Sequence, residues 1–200
     1  MGIYMRKKNM NVVVAAKTTY LFASALLLIL GAAILIFKPT ELMLRIMIGV
    51  CFLLIGGNKI FGYFSNDLYK LAFQFDLALG VLTLIVGLVL LIRGNITMQT
   101  MASIIGIYVV ADGLFKMQTA IDAKRFGMKK WVTIFVAAIV VGVVGALTLF
   151  DPFVEFASVG TLTLMGVSLI LCGALNIWTT AYTVRVKAKK KHAEDKYDSL

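Results

Sequence analysis

Long apolar stretches recur along the chain at short intervals. Thr18–Phe37 and Trp131–Phe150 each hold 20 residues without a charge, and Phe156–Val184 is a longer run of the same kind. Three further runs contain one or two charges: about Leu42–Phe64, Leu71–Ile92 and Ile96–Gln118. The hydrocarbon core of a bilayer is about 30 Å thick, and a helix needs about 20 apolar residues to cross it. The pattern therefore predicts six transmembrane helices joined by short loops.

The composition places the chain among integral membrane proteins. Of its 200 residues, 60% are hydrophobic and 15% are charged, against about 45–50% and about 25% in an average soluble domain. A soluble domain of this size could not hide so much apolar surface. A membrane β-barrel would instead show alternating segments of about 10 residues. The composition excludes a soluble enzyme, a disordered chain and a disulfide scaffold, and it favours an all-α, polytopic membrane fold.

The distribution of lysine and arginine predicts the orientation in the membrane. Seventeen of these residues fall on one side of the predicted helices, and three fall on the other: Lys38, Arg45 and Arg93. Basic residues near helix ends stay in the cytoplasm, so both termini should be cytoplasmic. The net charge of +10 lies beside apolar segments. It therefore suggests anionic lipid headgroups as partners and not nucleic acid.

Three copies of one pattern divide the predicted membrane domain, residues 18–180. The repeats cover about residues 18–64, 71–120 and 131–180, between a basic cytoplasmic segment (1–17) and a charged cytoplasmic tail (181–200). Glycines spaced seven residues apart mark the even helices: Gly49 and Gly56, Gly106 and Gly113, Gly166 and Gly173. In the odd helices Gly31, Gly87 and Gly145 recur between repeats, and the third helix also carries Gly80, seven residues before Gly87.

These glycines are interpreted as contacts between helices, because small residues let backbones approach closely within lipid. Each repeat is predicted to be a helical hairpin that starts and ends in the cytoplasm. The fold class is therefore six transmembrane helices arranged as three tandem, parallel-repeat hairpins.

The repeat pattern resembles the HdeD family of bacterial membrane proteins. The resemblance rests on four motifs: FKPT (Phe37–Thr40), FDPF (Phe150–Phe153), KKW (Lys129–Trp131) and GVSLILCG (Gly166–Gly173). The middle repeat departs from the pattern, with Gly94 and Asn95 where the others have proline. The resemblance implies a six-span protein of the bacterial inner membrane, with an association with acid resistance and no assigned catalysis.

Charged residues inside predicted spans are the candidates for function. Asp112 lies next to Gly113, and Lys116 follows at i+4 on the same helical face. A charge at the bilayer centre costs about 2.5–3.5 kcal/mol on insertion scales, and an Asp112–Lys116 pair would reduce that cost. Near the outer end of the second span, Arg45 is expected to extend to the surface and to pair with Glu41.

Two readings of the intramembrane polar residues remain open. The first is a polar vestibule on the cytoplasmic side that binds an ion or relays a proton; the second is a structural ion-pair network whose lysines reach the inner surface. Lys59, Lys116 and Asn176 occupy matching repeat positions, so convergence near a pseudo-threefold axis is predicted. The candidates are Asn58, Lys59, Asp76, Asp112, Lys116 and Asn176.

The sequence favours a non-enzymatic protein. It contains no HExxH, GxSxG or phosphate-loop motif and no Cys/His ligand cluster, so no catalytic residue, metal or cofactor is expected. The resemblance implies a role in acid or envelope stress tolerance. The alternatives are a small transporter or proton or ion channel using Asp112 and Lys116, and a scaffold that recruits partners through Lys187–Leu200. A homo-oligomer is compatible with either.

Overall fold

The computed structural model describes residues 2–64, 76–128, 130–150 and 158–183. Those residues form α-helices joined by short turns, and they contain no strand. The helices in chain order are α1 (Gly2–Phe37), α2 (Glu41–Tyr63), α3 (Asp76–Ile92), α4 (Met98–Arg125), α5 (Trp131–Phe150) and α6 (Ser158–Thr183). The prediction of an all-α chain with six helices is confirmed within these ranges.

Five of the helices have the length and composition of membrane spans. These are α1 from Tyr20 onward, α2, α4, α5 and α6 from Gly160 to Ala181. The described part of α3 is apolar and shorter, with 17 residues. The predicted third span began at Leu71, and residues 65–75 lie outside the described part.

Two helix boundaries differ from the sequence prediction. Helix α1 begins at Gly2 and not at Thr18, since no proline or glycine interrupts the basic segment and charged residues do not end a helix. Helix α4 continues to Arg125, seven residues past the predicted end at Gln118. The predicted tail from residue 184 onward lies outside the described residues, as does the turn at 151–157.

The bundle has two distinct ends. At one end, here called the turn end, α1 meets α2 at residues 38–40 and α3 meets α4 at residues 93–97. At the other, here called the basic end, α4 meets α5 beside Lys124, Arg125 and Lys130. These names are used below because they do not depend on orientation in a membrane.

Close glycine contacts join the helices in three antiparallel pairs: α1 with α6, α2 with α3, and α4 with α5. A Cβ built on any of the ten predicted packing glycines would come within 2.5–3.2 Å of an atom of the neighbouring helix. Real Cβ atoms essentially never approach below 3.0 Å, so a side chain at most of these positions would push the helices apart. The glycines therefore set the spacing of the bundle.

The three pairs are equivalent along the sequence. Gly31, Gly87 and Gly145 of the odd helices face Gly166, Gly49 and Gly106, respectively. Two helical turns away from these contacts, Gly80 faces Gly56, and Ser24 takes the corresponding place against Gly173. The extensive contacts thus join a helix of one predicted repeat to a helix of another, while α3 and α4 touch sparsely. The internal repeat is supported, and the hairpin as a structural unit stays a prediction.

Apolar side chains fill the bundle from its middle to the turn end. This core includes Ile34, Leu44, Ile48, Met101, Ile105 and Met165, all with no exposed surface. Toward the basic end, the buried residues become small, and several carry a hydroxyl: Thr119, Ala120, Ala123, Thr179 and Thr180. Most large apolar side chains outside the core point away from the bundle, which is the pattern expected of a surface that faces lipid.

Candidate functional site

Six polar side chains meet between the apolar core and the basic end. They form the central polar cluster: Tyr20, Lys59, Asp76, Asp112, Lys116 and Asn176. None is more than 4% exposed. With a rise of about 1.5 Å per residue, Asp112 lies about 21 Å along α4 from Met98 at the turn end. The cluster is therefore deep inside the bundle, and α1, α2, α3, α4 and α6 each contribute to it.

Lys59 is the centre of the cluster. Its Nζ atom lies 2.9 Å from Asp76 Oδ1 and 3.3 Å from Asp112 Oδ1. The same atom donates to the Tyr20 hydroxyl at 3.3 Å and lies 5.1 Å from the centre of the Tyr20 ring. An ammonium group has three donors. These three contacts account for all of them.

A closed ring of hydrogen bonds runs through four of the side chains. The Tyr20 hydroxyl donates to Asn176 Oδ1 at 2.8 Å, and Asn176 Nδ2 donates to Asp112 Oδ2 at 2.9 Å. Lys59 closes the ring between Asp112 and Tyr20. Lys116 adds a second ammonium donor to the Tyr20 hydroxyl, at 3.0 Å. The ring links α1, α2, α4 and α6 through groups that are costly to bury singly.

The formal charges of the cluster balance. Two lysines and two aspartates sit within one hydrogen-bonded network, which is the condition under which buried charges are tolerated. Removing one member would leave a charge without compensation. A buried network of this kind is weak evidence for net stability, but removing one charged partner is strongly destabilising.

The structure brings together five of the six predicted intramembrane candidates. Lys59, Asp76, Asp112, Lys116 and Asn176 meet in the cluster. Asn58 is half-buried and takes no part in the described hydrogen bonds of the cluster. One residue along a helix turns the side chain by about 100°, so Asn58 and Lys59 cannot both face the same axis.

The predicted attraction between Asp112 and Lys116 is present, and each residue also has a direct partner on another helix. Among the described residues, Asp112 pairs with Lys59 of α2, while the described hydrogen bond of Lys116 goes to the Tyr20 hydroxyl of α1. A neighbour at i+4 competes with groups from other helices that converge on the same point. Helical spacing alone does not decide between them.

Sequence reasoning missed three residues at this site. Tyr20 was absent from the candidates although it accepts hydrogen bonds from both lysines. Cys172 donates through its thiol to Asp112 Oδ2 at 3.4 Å, and Tyr108 lies one turn from Asp112 on α4. A signal for Tyr20 was present: it precedes Gly31 by eleven residues, as Asp76 precedes Gly87. In α1 and α3, the residue eleven positions before the glycine therefore belongs to the cluster.

Two buried polar atoms of the site have no hydrogen-bond partner among the described residues. They are Asp76 Oδ2 and the Tyr108 hydroxyl. Tyr108 also lines a small cavity between the cluster and the apolar core, with Tyr20, Ser24, Lys59 and Asn176. Beyond it, the Phe52 ring packs on the Tyr108 ring with centroids 5.1 Å apart.

At the turn end, Glu41 and Arg45 act on two other helices. The Arg45 guanidinium donates to the carbonyl oxygens of Leu90, at 3.3 Å, and Arg93 at the end of α3. Glu41 Oε1 accepts from the backbone amide of Met98 at the start of α4, at 3.2 Å. The predicted Glu41–Arg45 pair is therefore replaced by two helix caps, each with the charge that favours that helix terminus.

No group of three His, Cys, Asp or Glu side chains in the described part of the chain is arranged to hold a metal ion. Cys51 and Cys172 are both free thiols, and Cys172 is the buried one. In chemical terms, the site offers two ammonium groups, two carboxyl groups, two phenols, an amide and a thiol, all shielded from solvent.

Apolar spans, glycine-packed seams and a repeated register define the class: an α-helical, multi-pass membrane protein with an internal repeat. The chain belongs to the family described as a short repeat of unknown function (DUF308), whose model matches residues 22–92 and again residues 78–150. The two matches begin 56 residues apart, the same interval that separates Gly31 from Gly87. This repeat is the domain of HdeD-type proteins. No curated protein and no solved structure matches the chain.

Proposed function

We propose that this protein is a non-enzymatic protein of the bacterial inner membrane that serves acid or envelope stress tolerance. In this proposal its three repeats are tandem hairpins, both termini lie in the cytoplasm, and the basic end faces the cytoplasm. Membership of the DUF308 family and the resemblance to HdeD support the physiological role. The seventeen basic residues on one side of the helices support the orientation.

The observation that carries the proposal is the closure of the central polar cluster. Its charges are matched within the network, and every side chain is buried. A catalytic centre needs a place for substrate beside its reactive groups, and the cavity beside the cluster has a volume of only about 10 Å3. The arrangement suits a clamp that fixes five helices near the basic end.

The proposal is tested by survival of a deletion strain under acid and envelope stress. Complementation with wild-type protein should restore survival, and so should Asp122→Asn, a matched change on the same helix at a partly exposed residue. Asp112→Asn should fail to restore it, because the clamp loses one of its two carboxylates. Equal survival of the deletion strain and its parent under both stresses would exclude the role.

Anionic lipid headgroups are the partners proposed for the basic end. Lys124 lies over the Trp131 ring at 4.6 Å, and Lys130 lies over the Trp178 ring at 5.8 Å. Tryptophan favours the membrane interface, and a lysine near an anionic surface contributes about 1 kcal/mol. These contacts support the proposal that the ammonium groups of Lys124 and Lys130 meet headgroup phosphates. A homo-oligomer remains compatible with this arrangement.

A second candidate function is transport of protons or small ions. It is favoured by Asp76 Oδ2, a buried carboxyl oxygen with no described hydrogen-bond partner. Large buried apolar side chains toward the turn end, such as Ile34, Leu44 and Met101, oppose it. Proteoliposomes loaded with a pH-sensitive dye separate the two functions. The clamp predicts no proton flux above empty vesicles, whereas flux that Asp112→Asn abolishes would establish transport.

A further inference from the structure

We infer that the bundle binds one buried water molecule between the central polar cluster and the apolar core, with the Tyr108 hydroxyl as one of its partners. The inference stands on the cavity and on the hydrogen-bonding capacity of the groups around it. It does not depend on the physiological role proposed above.

The cavity has the size of a single water, and its lining combines apolar side chains (Ala23, Leu27 and Ile55) with a few polar groups. Its volume is about 10 Å3, close to the smallest volume that holds one water molecule. Residues of α1, α2, α4 and α6 line it, and five of them carry polar groups: Tyr20, Ser24, Lys59, Tyr108 and Asn176. A cavity of this size takes up water only when polar partners are within reach, so the inference depends on the individual hydroxyl groups in the lining.

The Tyr108 hydroxyl supplies an unused donor and acceptor at this point. Tyr108 is 2% exposed, and its hydroxyl has no hydrogen-bond partner among the described residues. A buried hydroxyl without a hydrogen bond is costly, and such groups in folded proteins are usually satisfied by ordered water. Because the residue lines the cavity, a water there would satisfy it.

Ser24 supplies a second partner on the facing helix. Its hydroxyl donates to the Tyr20 carbonyl oxygen at 2.9 Å, which leaves lone pairs on the serine oxygen that can accept. Lys59, by contrast, already directs its three donors at Asp76, Asp112 and Tyr20. A water could therefore donate a hydrogen bond to the Ser24 hydroxyl oxygen and form a second one with the Tyr108 hydroxyl, using hydrogen-bonding capacity that the cluster does not occupy.

The bound species is a water molecule and not a hydrated ion. The volume admits one molecule of that size, and the nearest carboxylates are already paired with lysine. The water would extend the polar network by one helical turn, from the cluster to Tyr108. The network would still stop at Phe52, whose ring covers Tyr108.

A high-resolution structure of the full-length protein in a lipid environment tests the inference. Wild type should show a density peak in the cavity within about 3.5 Å of Tyr108 Oη. Tyr108→Phe should lose the peak and Ser24→Ala should weaken it. Thr148→Val should keep it, because it removes a buried hydroxyl that hydrogen-bonds to the carbonyl oxygens of Val144 and Leu164 and does not line the cavity.

Two results would overturn the inference. One is a wild-type map that resolves other buried waters and has no peak in the cavity. The other is a peak that persists unchanged in Tyr108→Phe. If Tyr108→Phe cannot be purified in folded form, the wild-type map and the Ser24→Ala map decide the question. A density peak that makes no contact with Tyr108 and is unaltered in Ser24→Ala would also contradict the inference.

Discussion

Lys59 makes three hydrogen bonds from one ammonium group, and its partners belong to three other helices. Tyr20 is on α1, Asp76 on α3 and Asp112 on α4. Lys116 is equally buried, but its described hydrogen bond goes to a neutral hydroxyl. At the residue scale, the loss of one lysine should therefore affect the cluster differently from the loss of the other. Loss of Lys59 leaves two carboxylates without their shared partner.

Replacement of Lys59 should destabilise the bundle strongly. We expect Lys59→Met to lower the free energy of unfolding by about 3–5 kcal/mol, the cost of stranding a buried charge. The double variant Lys59→Met/Asp76→Asn should recover part of this loss, because one stranded carboxylate is neutralised. Unfolding in mixed micelles measures each value.

The exposed Lys124 supplies the matched control for that series. It lies at the basic end of α4, over a tryptophan ring, so Lys124→Met should change stability by less than about 1 kcal/mol. If Lys59→Met cost no more than Lys124→Met, the cluster would not be the clamp described above. If the double variant had the same free energy of unfolding as Lys59→Met, the Asp76 carboxylate would not be the charge that is stranded when Lys59 is lost.

The helices are held together by backbone approach at glycine as much as by side-chain burial. At Gly106, a built Cβ would lie 2.5 Å from the Leu149 amide nitrogen and 2.8 Å from the Gly145 carbonyl oxygen. These are backbone atoms of α5, so the helices must separate to admit a methyl group. Gly57 of α2 has no atom within 4 Å of its built Cβ. Two glycines in similar helices thus have opposite roles.

The same substitution at these two glycines should give effects of different sign. We expect Gly106→Ala to cost about 1–3 kcal/mol of stability through overpacking. Gly57→Ala should be neutral or slightly stabilising, because alanine is the better helix former. Unfolding of both variants under one condition makes the comparison. An equal cost at the two positions would contradict the role assigned to the close contacts.

Hydrophobic length and glycine spacing made the helices predictable, and α5 matches its predicted bounds from Trp131 to Phe150. The pairing of helices was not predictable, because a glycine in the sequence indicates a helix contact but does not identify the helix that packs there. The partners of Lys116 and Arg45 were missed for the same reason: i+4 neighbours are visible in the sequence, and groups on other helices are not. Tyr20 was missed because a tyrosine within an apolar span is usually assigned to the membrane interface or to general packing.

At the scale of the whole molecule, polarity is distributed unequally between the two ends. The buried charges lie in the central polar cluster, and the buried residues toward the turn end are mostly large and apolar, with a few hydroxyls such as those of Thr148 and Thr161. Positive charge is concentrated on the same side as the cluster. If the basic end faces the cytoplasm, the cluster is nearer to the cytoplasm and the apolar core separates it from the opposite side.

Cysteine accessibility at the two ends of α4 tests this orientation most directly. In a background with Cys51 and Cys172 replaced by alanine, Asn95→Cys places a thiol at the turn end and Arg125→Cys places one at the basic end; both sites are exposed. A membrane-impermeant maleimide added to intact spheroplasts should label Asn95→Cys at once and Arg125→Cys only after permeabilisation. Labelling of Arg125→Cys in intact spheroplasts, or of both sites equally, would contradict a bundle that crosses the membrane with its basic end inside.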